Sequence, residues 1–128
     1  MAARTYKGGV VMPEPGKLRE VNIKTDMPTV SNAIKRVTFQ IYNAKALGFT
    51  AVKIIHGYGS SGKGGSIRTE TRRYLQRQKD KHQIRDFIPG EQFSIFDEAT
   101  RAAFLICDDL RRDSDLERSN NGVTIVIL

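Results

Sequence analysis

Polar and apolar residues alternate along Lys17-Leu18-Arg19-Glu20-Val21-Asn22-Ile23-Lys24, the period-two pattern of a half-buried strand. The period then changes. Between Pro28 and Gly48, the residues Val30, Ile34, Val37, Ile41 and Ala44 recur at spacings of three and four, which gathers them on one face of a helix. Thr29 or Asp26 supplies an oxygen to cap its first amides, Pro28 suits a helix start, and Gly48 suits the left-handed residue that ends one. Ala51-Val52-Lys53-Ile54-Ile55 follows as a short apolar strand bounded by glycine. Strand, helix, strand in that order predicts a right-handed crossover with parallel pairing if the strands are neighbours. The residues after Ile55 then lie at a carboxyl end of the sheet.

Downstream, the spacing predicts a second helix from near Ser66 to Gln78, with Ile67, Thr71, Tyr74 and Leu75 inward and mostly basic residues outward. Residues 84–88 and 122–128 read as further strands. Phe96, Ala99, Ala103, Ile106 and Leu110 share helical spacing and predict a third helix, followed by a loose polar loop over 111–121. Residues 1–17 have no clear period and read as an N-terminal tail or edge extension. The order is α/β: strand, helix, strand, helix, strand, helix, strand.

Composition narrows the class. A chain of 128 residues, 39% hydrophobic and 27% charged, has one ordinary core, so 18–128 is expected to be a single domain. No apolar run approaches the length of a bilayer span and the first residues carry no apolar leader, so the expectation is a cytoplasmic protein without a membrane partner. Cys107 is the single cysteine, which excludes an internal disulfide and a thiolate metal cage. The net charge of +7 is unevenly placed. Residues 63–85 hold eight basic groups against Glu70 and Asp80, whereas residues 91–128 hold eight acids against four bases. The two regions are expected to occupy different faces or to pair.

The candidate chemistry sits in IIHGYGSSGKGGSIR, residues 54–68. Gly57, four residues, then Gly62 and Lys63 match the first positions of the Walker A phosphate loop, between a strand and a helix. Gly64 stands where that loop needs a magnesium-binding hydroxyl, which argues against nucleotide hydrolysis. Phe104 to Asp109 imitates the loop's partner strand, but helical spacing explains those residues better. An anion site remains, because glycine amides ahead of a helix offer unpaired donors and Lys63 and Arg68 add full charge. Arg72, Arg73 and Arg77 continue the charge along the helix. Tyr58 can stack on an unpaired base. His56 is either a proton-transfer or phosphate-donating group, or a strand-end histidine bonded to nearby backbone. Glu70, beside the loop, can simply pair with Arg73. His82 stands in a polar run and the carboxylates lack ligand spacing, so no metal site is expected. No element suits base-edge readout, so sequence specificity should be weak.

The stretch VKIIHGYGSSGKGGSIRTETRRYL resembles the second signature of the Smr (small MutS-related) domain, in which a buried strand ends in His-Gly-x-Gly and Leu/Ile-Arg opens the next helix. His56, Gly57, Gly59, Gly65, Ile67 and Arg68 fall on that pattern, and the resemblance covers about residues 18–90 and 122–128. It implies a small two-layer sandwich, a four-stranded mixed sheet with two main helices, here with one inserted helical region at about 91–121. It also implies DNA or RNA binding, with nicking or cleavage in several members. The family's first signature, Leu-Asp-Leu-His-Gly, falls on Val21-Asn22-Ile23-Lys24-Thr25, so both chemical residues are replaced. Asn22 carries no charge and Lys24 would stay protonated, which suits phosphate binding better than proton transfer.

The expected contacts to nucleic acid are therefore Lys24, Gly57, Tyr58, Gly59, Lys63, Gly64, Gly65, Ser66, Arg68 and Arg72, with no cofactor. Two alternatives stand beside this. One is a nicking endonuclease, with His56 as its catalytic residue and a divalent metal. The other is a protein-interaction module, in which the acidic insertion contacts a second copy or another protein.

Overall fold

Leu18–Asn22 forms β3 and Ala51–Ile55 forms β4, joined through helix α1 (Val30–Ala46) in a parallel pair with Leu18 opposite Ala51 and Asn22 opposite Ile55. The computed structural model describes residues 4–5, 11–12, 17–58 and 62–128, with side chains given outside 4–5, 11–12 and 62–64. Helix α2 (Gly62–Asp80), β5 (Asp86–Pro89), α3 (Glu98–Ile106) and β6 (Val123–Ile127) follow. Strand order is β3-β4-β6-β5, and β6 runs antiparallel to both neighbours. The sheet is mixed and four-stranded, as expected. Within the segment read as a tail, β1 (Arg4–Thr5) pairs antiparallel with β2 (Val11–Met12).

Thr29 caps α1 by accepting from the Asn32 amide at 3.2 Å, while Asp26 occupies the left-handed region in the preceding turn. The buried stripe of α1 is Ala33, Val37, Ile41 and Ala44, so Ala33 takes the place expected of Ile34, which is half-buried. With α2 it covers one sheet face, over Val21, Ile23, Val52, Ile54 and Val126. α2 presents Ile67, Thr71 and Leu75 inward, as its spacing predicts. It begins four residues earlier than expected, at Gly62, so that Gly62 to Gly65 are themselves the first turn and Ser66 lies inside the helix.

The acidic segment packs on the other face, where Phe93, Ala103, Phe104, Cys107 and Leu110 meet Ala51, Ile88, Ile125 and Ile127. It adds a partial third layer to the two-layer sandwich. α3 is shorter than its apolar spacing suggests. Asp97 caps it through the Thr100 amide at 2.9 Å, leaving Phe96 outside and 84% exposed. Extended backbone at Cys107 ends it, and Leu110 is buried from a separate 3-10 turn, Asp108–Arg112. Burial pushes the Cys107 thiol pKa up.

The stretch expected as a loose loop is anchored. Lys53, in the middle of β4 and only 3% exposed, reaches Asp113 at 3.0 Å and also pairs with Asp115. Burial favours the neutral amine, but the hydrogen bonds and charges of Asp115 and Asp113 outweigh it and hold the Lys53 pKa above its usual value. Burial likewise works against the Asp115 carboxylate, whose pKa is nonetheless lowered by Asn120 and Lys53.

Candidate functional site

The carboxyl ends of β3 and β4, the entry to β6 and the first half of α2 meet at one end of the sheet. Parallel register brings the two signature strands together: the Ile23 amide donates to the Ile55 carbonyl at 3.1 Å. Asn22 Oδ1 accepts from the Lys24 amide at 2.9 Å, so this side chain shapes the turn. Arg36, from α1, donates to the carbonyls of Ile23 and Thr25 at 3.1 and 2.6 Å and holds the same turn from beneath. Lys24 is exposed, and its stem lies over Gly57, where a Cβ would stand 3.5 Å from Lys24 Cδ. Gly57 has φ of +86°, a conformation that favours glycine, and with His56 it donates an amide to the Gly122 carbonyl at 3.0 Å.

His56 points into the α1/α2 side and is 1% exposed. Its Nδ1 lies 3.0 Å from the Gly57 carbonyl, which can only accept, so Nδ1 carries the proton. Nε2 then accepts from the Thr124 hydroxyl at 2.8 Å, and Thr124 Oγ1 accepts from Arg72 Nε at 3.2 Å. Burial, together with the charges of Arg72 and Arg68, outweighs the bond to Gly57 and lowers the His56 pKa from 6.5 to about 4. The imidazole is therefore neutral at pH 7, and both ring nitrogens are occupied inside the protein.

Arg72 ties this buried chain to the surface. It donates to both carboxylate oxygens of Glu91, at 2.8 and 2.7 Å, with longer contacts to the Asn121 and Val123 carbonyls at 3.5 and 3.4 Å. Glu91 belongs to the 3-10 turn Gly90–Gln92, at the start of the acidic segment. The two oppositely charged regions do pair here, and Lys79 separately pairs with Asp86 of β5 at 3.0 Å. Glu70 pairs with Arg73 at 2.7 Å.

Of the residues expected to contact nucleic acid, Lys24, Gly57, Tyr58 and Arg68 converge. Arg68 donates to the Tyr58 carbonyl, and the Tyr58 ring lies against Gly122 while remaining 60% exposed. Gly65 is half-buried and Ser66 exposed near the start of α2; Lys63 and Gly64 belong to its first turn, and Gly59 lies outside the described residues. Arg72 is adjacent but engaged. Thr124 and Glu91 were not singled out by the sequence. A threonine inside the β-branched run Val123-Thr124-Ile125-Val126-Ile127 is unremarkable until β6 is placed beside His56. Among the described residues, no three His, Cys, Asp or Glu side chains are grouped to hold a metal, and no helix is long and apolar enough to cross a membrane.

A family model described as the Smr domain matches residues 26–92. Among solved structures, the chain is similar to the crystal structure of the Smr domain of Thermus thermophilus MutS2, at 23% identity and a TM-score of 0.53. The match covers 86% of this chain and 96% of that one, and at this identity it speaks for the fold. No curated protein matches.

Proposed function

The chain belongs to the Smr domain family, and from that premise we propose that it binds the phosphate backbone of DNA or RNA at the end of the sheet where β3, β4 and α2 meet. The observation that carries this reading is the convergence of two cationic side chains, Lys24 and Arg68, with the Gly57–Tyr58 turn and the glycine-bearing first turn of α2. The first turn of a helix has amides without intrahelical partners and the positive end of the helix dipole, both of which favour a phosphate. Tyr58 offers a base a flat exposed face. Binding should follow charge and strand accessibility more than sequence.

Cleavage through His56 is not part of this reading. A general base needs a free nitrogen within reach of its proton, and both of His56's are committed to Gly57 and Thr124. His56 acts instead as a positioning residue that holds Thr124 and, through it, Arg72.

The test is a salt titration of affinity for single-stranded and duplex DNA and RNA. Log affinity should fall linearly with log salt, and Lys24→Gln or Arg68→Gln should each reduce the slope by about 0.7 to 0.9, the loss of one phosphate contact. Unfolding midpoints should be almost unchanged for Lys24→Gln. A wild-type affinity indifferent to salt would overturn the reading.

A second reading, association with protein through the acidic segment, has its own support. Ile95, Phe96 and Leu105 of that segment are 48%, 84% and 84% exposed. Light scattering of wild type and Phe96→Ser/Leu105→Ser tests it: a dimer that dissociates in the variant would support it, and a wild-type monomer would remove self-association.

A further inference from the structure

Glu91 occupies Arg72 in the manner of a ligand. The guanidinium is fixed on its inner side by Thr124 through Nε, with the Asn121 and Val123 carbonyls close to Nη2, and its Nη1 and Nη2 together form a fork that meets the Glu91 carboxylate. An arginine fork held in this way suits any planar or tetrahedral oxyanion that can accept two parallel bonds, and phosphate and carboxylate are equivalent in this respect. Glu91 supplies a carboxylate from outside the helix, 19 residues along the chain. The turn that carries it is held firmly: a Cβ at Gly90 would stand 1.9 Å from the Asn120 carbonyl oxygen. The Glu91 side chain itself is 40% exposed, so it can rotate into water while its backbone stays in place. Burial disfavours its ionised form, but Arg72 and Arg68 outweigh this and keep its pKa below the usual carboxylate value. It is anionic at neutral pH, within reach of both arginines' fields.

We propose that the Arg72 fork is a further backbone-phosphate position, filled in the free protein by the Glu91 carboxylate, which a bound polynucleotide displaces. This rests on the phosphate-binding reading above and deepens it. The inserted segment thereby tunes affinity: each binding event that uses Arg72 first breaks an internal ion pair, so the ligand must present one phosphate near Arg68 and another at Arg72. The ligand class is a polynucleotide with consecutive phosphates, and an isolated phosphate should not compete effectively with a tethered carboxylate.

The test uses the full chain, a fluorescent single-stranded 12-mer and a salt series. Glu91→Gln keeps the shape of the side chain and removes its charge. It should tighten binding several-fold and steepen the salt dependence by about 0.7, the value for one added phosphate on a single strand. Adding Arg72→Lys, which keeps the charge but loses the fork, should abolish most of that gain. Asp86→Asn makes the same charge change at the Lys79 pair and serves as the comparison; an equal gain there would overturn the proposal, since the effect would be general charge. Wild-type binding that Glu91→Gln leaves unchanged would overturn the proposal alone. No binding by either protein at low salt would remove both it and the reading it rests on. Thermal melts show that each variant is folded.

Discussion

Lys53 lies in β4 and His56 one residue beyond its end, and the two polar side chains enter opposite sides of the same sheet. Each is almost completely buried, at 3% and 1% exposure. Their surroundings resolve burial in opposite ways. Lys53 remains charged because two carboxylates close around it, and this closed cluster ties the inserted segment to the sheet. His56 remains neutral because burial disfavours its charged form and the charges of Arg72 and Arg68 add to this, outweighing the bond to Gly57 and the field of Glu91. Its hydrogen bonds do not close but lead outward through Thr124 and Arg72 to Glu91 at the surface. The contrast separates an anchor from a connection: the first contributes attachment, the second sets the geometry of a surface that meets a ligand.

The most severe way to break this comparison is to remove the carboxylates around Lys53. Asp113→Asn/Asp115→Asn keeps the shapes and strands a buried charge, and should cost about 3 to 5 kcal/mol in urea unfolding. Adding Lys53→Met should recover much of that loss, because the stranded charge is gone. A double variant within 1 kcal/mol of wild type by the same measurement would show that Lys53 is solvated.

Acidification tests the other side. The folded pKa of His56, about 4, lies below its ordinary 6.5, so between these values the unfolded chain binds the extra proton. Stability is complete above pH 6.5 and falls as pH drops toward 4, by about 3 kcal/mol in all. Glu91 and Asp115, whose pKa values are lowered, add losses only below about pH 5. Unfolding curves for wild type and His56→Gln should therefore diverge in slope between pH 6.5 and 5; parallel curves there would show an exposed, ordinary histidine.

The smallest effect sharpens the connection itself. Thr124→Val leaves His56 Nε2 and Arg72 Nε without their shared partner, and should cost about 1 to 3 kcal/mol in urea unfolding. Thr124→Ser keeps the hydroxyl and should lose less than about 1 kcal/mol, the worth of one buried methyl group. Equal losses in the two variants would mean that packing, not the hydrogen-bond chain, is what Thr124 supplies.

Much of this was legible in the residues because it depends on local periodicity. Alternation at 17–24, three-and-four spacing in α1 and α2, and the apolar run at 51–55 each follow from how side chains project from strand and helix. Boundaries were less legible where glycines lead into a helix: Gly62 to Gly65 read as loop by propensity, yet they make the first turn of α2. Helical spacing runs past the true end of α3 because Leu110, buried from a separate turn, falls on it by chance. The motif at 54–68 located the candidate site, but gave His56 an open choice between chemistry and structure.

By itself, the sequence determined the α/β element order, the crossover that aligns β3 with β4, and the concentration of glycine and positive charge at one end of that pair. Only the tertiary structure decided which charges remain available there. The Arg72–Glu91 pair, the Thr124 link to His56 and the Lys53 cluster join residues 19 to 68 positions apart. Periodicity specifies which way a side chain faces along its own element, and it carries no information about which distant group will stand opposite once the layers close.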